Sequence, residues 1–132
     1  MSEQYEKGLK KLKEVTGGSG EAVVASFREI APDLSRYIIE FPFGEIYSRP
    51  GLDIQKRQLV TVSSLVTQGD TAQALDVHIN AALNVGLTPN EIIEAIIHLL
   101  PYAGWPKVQN GVNIAAKVFK DRNVAPVWEN EK

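Results

Sequence analysis

Hydrophobic side chains recur at three- and four-residue steps along most of the chain, which is the spacing of amphipathic α-helices. The pattern is clearest between Asp70 and Trp105. There, one predicted helix has an apolar face formed by Leu75, Ile79, Ala82 and Leu83, and a second has one formed by Ile92, Ile93, Ile96, Ile97 and Leu100. Both histidines of the chain lie on this pair of helices, His78 on the first and His98 on the second.

Residues that begin and end helices punctuate the same stretch. Asp70 is placed to cap the first helix, and Gly86 suits the left-handed residue that follows its end. Thr88 opens the second helix, because Pro89 fits the first helical position and Glu91 completes a capping box with Thr88. The start at Thr88 is the best-defined helix boundary in the sequence.

Similar patterns predict the other elements. Before Asp70 they are a helix over residues 2–15, a break at 16–20, a helix over 21–30 and a helix from Pro32 that Pro42 kinks or ends. A turn at 48–51 follows, and then a helix that runs from a cap at Asp53 to about Gln68. After Trp105 a last helix begins at Pro106, and residues 123–132 form a tail. Residues 59–66 are rich in β-branched side chains, which favour a strand locally. A lone strand has nothing to pair with, so we expect a helix that is apolar around most of its surface. The sum is an all-α bundle of six or seven helices forming a single domain over residues 1–132.

Composition narrows the classes of function. The chain has 132 residues, 44% of them hydrophobic, and a formal net charge of −2, so it has no basic stripe that would indicate a nucleic-acid partner. It contains no cysteine, which excludes disulfides, thiolate metal sites and thiol redox chemistry within the chain. No apolar run approaches the length of a membrane span and no signal peptide is visible. We therefore expect a soluble cytoplasmic protein without a membrane partner.

Five motifs occur in a fixed order over residues 43–106. They are Phe43-Gly44-Glu45-Ile46-Tyr47 with Arg49-Pro50-Gly51-Leu52, then Arg57-Gln58-Leu59-Val60-Thr61-Val62, then the segment from His78 to Thr88, then Glu91-Ile92-Ile93-Glu94, and finally Tyr102-Ala103-Gly104-Trp105-Pro106. Taken together, this set resembles the carboxymuconolactone decarboxylase family, which also includes the alkylhydroperoxidase D-like proteins.

The resemblance implies which branch of the family is relevant. The redox branch carries a Cys-x-x-Cys-x-x-x-His motif, and counting back from His78 places its two cysteines at Thr71 and Ala74. Neither residue forms a thiolate, so peroxidase and disulfide activities are excluded. The remaining branch is similar to the enzyme that converts 4-carboxymuconolactone to the 3-oxoadipate enol-lactone. It implies a small carboxylated substrate, no cofactor, and a homo-oligomer, a hexamer or a trimer.

That reaction defines the candidate site residues. We expect His78 to serve as proton donor or oxyanion partner, since a histidine titrates near neutrality, and Arg57 to hold a carboxylate through two parallel donors. Glu45 would orient or charge a histidine, and His98 is the second candidate catalytic histidine. Tyr102 and Trp105 would form the wall of the substrate pocket.

Other interpretations remain open at this stage. His78 alone is also consistent with a core histidine bound to the backbone, and His98 with an ordinary pair to Glu94 one turn earlier. The two histidines with Glu45 also suggest a metal site, but they lack close ligand spacing, and we predict no metal. At the level of function, the alternative is a non-catalytic protein of the same fold that binds a small ligand or takes part in an assembly.

Overall fold

A computed structural model describes residues 2–129, and every regular element in that range is a helix. The elements are α1 (Glu3–Thr16), α2 (Gly18–Phe27), α3 (Pro32–Ile38), a π-helix (Ile39–Ile46) that continues α3, α4 (Ile54–Gln68), α5 (Ala72–Asn84), α6 (Pro89–Ile97), the single turn α7 (Leu100–Ala103) and α8 (Trp105–Asp121). The predicted all-α class is confirmed. With the π-helix counted as part of α3 and the single turn α7 set aside, seven helices are present in this range, as expected.

The contacts of the chain divide it into two compact units, one ending at Arg57 and the other beginning at Gln58. The boundary falls inside α4. The assignment of residues 1–132 to a single domain stays a prediction.

In the first unit, α1 packs closely on the π-helix. Gly8 is buried, and a Cβ atom at this position would overlap the backbone carbonyl group of Ile39. Only a residue without a side chain permits this approach. Gly17 has a positive φ of 62° and separates α1 from α2. The predicted break at 16–20 is therefore too long, because Gly18 already begins α2.

Pro42 lies inside the π-helix rather than at a helix end. It has no N–H to donate, and its ring would clash with the carbonyl of the preceding α-helical turn. The wider spiral accommodates it: the N–H of Tyr47 donates to the Pro42 carbonyl five residues earlier at 2.7 Å. The predicted disturbance at Pro42 thus takes the form of a change in helix type, a feature that is frequent at functional sites.

The second unit has an apolar core contributed by α4, α5, α6 and α8. Its fully buried members are Val62, Ile79, Ala82, Ile92, Ile96 and Ala115. Gly111 of α8 lets Val66 of α4 approach closely, since an added Cβ would lie 2.9 Å from a Val66 methyl group. This core carries the helix α5 that holds His78.

Two of the three predicted N-terminal helix caps are present. The capping box is complete, with the Glu91 N–H donating to Thr88 Oγ1 at 3.1 Å and the Thr88 N–H donating to Glu91 Oε1 at 2.9 Å. Asp53 Oδ1 accepts from the Lys56 N–H at 2.9 Å at the start of α4. The cap at Asp70 is wrong, because Asp70 has a left-handed φ of 52° and α5 begins only after Thr71.

The segment after α8 is held against the second unit as far as it is described. The Asn90 side chain donates to the Val127 carbonyl and accepts from the Val127 N–H, both at 2.8 Å. The predicted tail is thus free of helix at 123–129 but anchored, and residues 130–132 lie outside the described part of the chain.

Candidate active site

The central polar contact of the second unit joins α4 to α5. His78 lies beside the buried face of α5, next to Ile79, and is itself half-buried. Its Nδ1 atom is 3.3 Å from Oε1 of Gln58 on α4. The buried residues of α5, such as Leu75, Ile79 and Ala82, recur at three- and four-residue steps. Position 78 is adjacent to this stripe, so the histidine lies at the edge of the core and not in open solvent.

Burial lowers the pKa of His78 from 6.5 to about 4, because the interior disfavours the charged imidazolium. At neutral pH the ring is therefore uncharged and carries one proton. The amide oxygen of Gln58 can accept a hydrogen bond from Nδ1 when that nitrogen carries the proton, and the basic lone pair is then on Nε2.

Gln58 is a functional candidate that sequence reasoning missed. It is fully buried, and its Nε2 atom has no hydrogen-bond partner among residues 2–129. A signal was present in the sequence, because Gln58, Val62 and Val66 recur at four-residue steps and form the buried face of α4. A polar residue in an apolar stripe is informative, whereas an exposed one is not.

The structure places the second histidine on the surface. His98 is exposed at the end of α6, and its ring centroid is 5.6 Å from that of Tyr102, which follows on α7. Tyr102 and Trp105 are 74% and 66% exposed. Trp105 also lines an apolar hollow of about 220 Å³ with side chains such as Ile97, Leu100 and Val108.

Glu45 and Arg57 belong to the first unit. Glu45 is exposed on the π-helix and accepts a hydrogen bond from Gln4 Nε2 at 3.3 Å. The half-buried Arg57 donates to two backbone carbonyls of the preceding loop, from Nε to Leu52 at 3.1 Å and from a terminal nitrogen to Arg49 at 3.2 Å. Both of these acceptors are uncharged backbone carbonyl groups that help to hold the guanidinium in place.

A cleft of about 290 Å³ lies where α4 ends and α5 begins, with α8 as its far wall. Thr71 and Leu75 line it, and Leu75 is one helical turn before His78 on α5. Lys107, Asn110 and Asn113 supply its polar side chains. The cleft is large enough for a ligand the size of a small organic acid.

Within residues 2–129, no three His, Cys, Asp or Glu side chains lie close enough together to hold a metal ion. In the same part of the chain, no helix combines the length and the apolar character needed to cross a membrane.

Comparison with known proteins identifies the family. The model of the carboxymuconolactone decarboxylase family matches residues 32–117. The chain is 34% identical over 130 residues to a 4-carboxymuconolactone decarboxylase of Acinetobacter baylyi, covering 98% of this chain and 96% of that protein. It is 31% identical over 120 residues to a nitrosuccinic acid decarboxylase of Metarhizium robertsii, covering 89% and 82%. It is 29% identical over 99 residues to an uncharacterized 15.0 kDa protein of Paracoccus denitrificans, covering 74% of each.

These matches, together with the all-helical fold, place the chain in a family of helical proteins that includes decarboxylases. The chain belongs to the carboxymuconolactone decarboxylase family. The relatives from Acinetobacter baylyi and Metarhizium robertsii are both named as decarboxylases.

Proposed function

We propose that this protein is a cofactor-free decarboxylase of a small acid that carries two carboxylates and its own electron sink. The observation that carries the proposal is the neutral, half-buried His78 held by Gln58, in a chain related to a decarboxylase over nearly its whole length. The names of the two decarboxylases supply the substrate class, since 4-carboxymuconolactone and nitrosuccinic acid are both dicarboxylic acids with an electron-withdrawing group.

Such a substrate needs no electron-accepting cofactor. The bond between the carboxylate and its carbon breaks, carbon dioxide leaves, and the electron pair moves into the lactone carbonyl through the conjugated double bond, or into a nitro group. The resulting oxyanion is then protonated on carbon. An enzyme accelerates this sequence by stabilising the developing negative charge and by supplying the proton.

His78 is the proposed proton donor. In the free protein burial holds its pKa at about 4, so the ring is neutral near pH 7. A bound dianion raises that pKa, because a nearby negative charge favours the imidazolium. Proton uptake on binding thus loads His78 with the proton that it later gives to carbon.

The other candidate residues keep the roles proposed from the sequence. Arg57 binds a carboxylate, because a guanidinium offers two parallel donors to the two carboxylate oxygens. Glu45 orients or charges a histidine, and His98 is the second candidate catalytic histidine. Tyr102 and Trp105 form the apolar wall of the substrate pocket, because their exposed rings can contact a ligand.

A panel of substrates tests the proposed class. Purified protein is expected to release carbon dioxide from 4-carboxymuconolactone or from nitrosuccinate. Succinate is the matched control, because it is a dicarboxylate without a sink and should not react. Tight binding of these acids without release of carbon dioxide would instead indicate a ligand-binding protein of the same fold.

We also propose that the protein is a homo-oligomer, a hexamer or a trimer. In the second unit Ile97, Tyr102 and Trp105 are large and exposed, which is the kind of apolar surface that subunit contacts cover. Sedimentation equilibrium should give a mass that is a multiple of 14.5 kDa. A stable monomer at micromolar concentration would contradict this.

A further inference from the structure

Gln58 is the only buried side chain among the described residues whose polar nitrogen lacks a hydrogen-bond partner. One end of its amide has a partner, because Oε1 lies 3.3 Å from Nδ1 of His78. The other end, Nε2, is buried with no acceptor. The residue therefore contacts the candidate catalytic histidine at the cost of an unsatisfied donor.

Packing alone does not account for a glutamine at this position. Burying an unpaired amide nitrogen is unfavourable, while a methionine or leucine of similar volume would fill the same space without an orphaned group. The neighbouring buried positions of the α4 face are indeed occupied by valines, Val62 and Val66. A buried unsatisfied group in a native structure calls for an explanation beyond stability.

We propose that Gln58 is a positioning residue that holds the His78 ring with its proton on Nδ1, so that Nε2 is the nitrogen that exchanges a proton with the substrate. A free neutral histidine prefers the opposite tautomer, with the proton on Nε2, and the hydrogen bond made by one ring nitrogen decides the state of the other. The tautomer is a property of the protein itself, whereas its catalytic use rests on the proposed function.

An amide suits this task better than a carboxylate. Both accept a hydrogen bond from Nδ1–H, but a carboxylate would add a negative charge beside the ring and repel a dianionic substrate. Gln58 is neutral and orients the imidazole without that repulsion. A glutamine at this position therefore leaves the binding of an anionic substrate unopposed.

Nitrogen-15 NMR of the histidine rings tests the assignment directly. The chain has two histidines, so a spectrum of His98→Gln identifies the signals of His78. In the unaltered protein at pH 7 we expect Nδ1 protonated and Nε2 deprotonated. In Gln58→Met the population should shift toward the Nε2–H tautomer, while the unfolding midpoint stays equal or rises. Gln58→Glu should keep the Nδ1–H tautomer, because it keeps the acceptor.

Kinetics supply the second readout. Loss of orientation should lower kcat of Gln58→Met by about ten- to a hundredfold with little change in KM. Gln68→Met, at an exposed glutamine of the same helix whose Nε2 donates to Ser64, is the matched control and should alter neither tautomer nor kcat.

A proton on Nε2 of His78 in the unaltered protein would overturn the inference, as would an unchanged tautomer and kcat in Gln58→Met. If the tautomer shifts as expected but no substrate of the panel reacts, the proposed function fails and the positioning role stands. If the unaltered protein decarboxylates and Gln58→Met does so equally well, the function stands and the catalytic role of Gln58 fails.

Discussion

The imidazole of His78 is costly to protonate in the folded protein, and this makes stability depend on pH. Its pKa is lowered from 6.5 to about 4 by burial. Between pH 6.5 and pH 4, His78 is protonated in the unfolded chain but neutral in the native state. The free energy of unfolding therefore falls as the pH drops from 6.5 towards 4. Above 6.5 the contribution is fully present.

We therefore expect the unaltered protein to lose about 3 kcal/mol more stability than His78→Gln between pH 7 and pH 4, from 1.36 kcal/mol per pKa unit. The glutamine variant lacks the titrating ring, so the groups common to both proteins cancel in the comparison. Urea unfolding at pH 7, 5.5 and 4, at one protein concentration, measures the difference. Parallel pH profiles for the two proteins would show that His78 is not buried in a way that disfavours its charge.

At the residue scale, the sequence made His78 a candidate but did not single out Gln58, the residue that contacts it. His78 stood out because few side chains titrate near neutrality and the family motif contains it. Gln58 was overlooked because it was considered as part of a motif and not as a polar residue on the buried face of α4. The uncharged state of the ring also depends on burial, which residue type alone does not reveal.

At the scale of elements, the close contact between α1 and the π-helix depends on the absence of a side chain at Gly8. A Cβ at Gly8 would overlap the Ile39 carbonyl, which is backbone and has no flexible end to move aside. Gly18 offers the matched control, because its Cβ would meet nothing within 4 Å and its φ is not positive.

Gly8→Ala is expected to lower the free energy of unfolding by about 1–3 kcal/mol through overpacking. Gly18→Ala should leave it unchanged or raise it by up to about 1 kcal/mol, since alanine favours helix. Chemical denaturation followed by circular dichroism measures both. Equal stabilities for the two variants would mean that α1 does not pack on the π-helix as closely as described.

The elements that sequence predicted well are those whose ends are set by local chemistry. Thr88 and Asp53 cap their helices through bonds to residues three positions away, which a sequence shows directly. Asp70 failed because a left-handed turn moved the start of α5 to the next residue. The π-helix could not be predicted, because a proline inside a helical pattern is compatible with a kink, a break or a wider spiral, and its local sequence does not distinguish them.

At the scale of the whole molecule, fold class and family followed from the sequence, while the arrangement of the site did not. The ordered motifs of residues 43–106 fall within the segment matched by the family model, residues 32–117. Periodicity predicted helices, because amphipathic spacing is a property of the chain alone. The neighbours of Arg57 and Glu45 could not be predicted. Arg57 donates to a loop carbonyl, and Glu45 accepts from Gln4 of α1, and no periodic or motif signal links these groups in the sequence.

The most direct test of the account is the rate of carbon dioxide release by His78→Gln from the substrate on which the unaltered protein is active. General acid catalysis by a histidine contributes about 10²–10⁴-fold, so kcat should fall by that factor at pH 7 while the variant remains folded. His98→Gln, measured in parallel, decides between the two histidines. Turnover by His78→Gln at the rate of the unaltered protein would contradict the account.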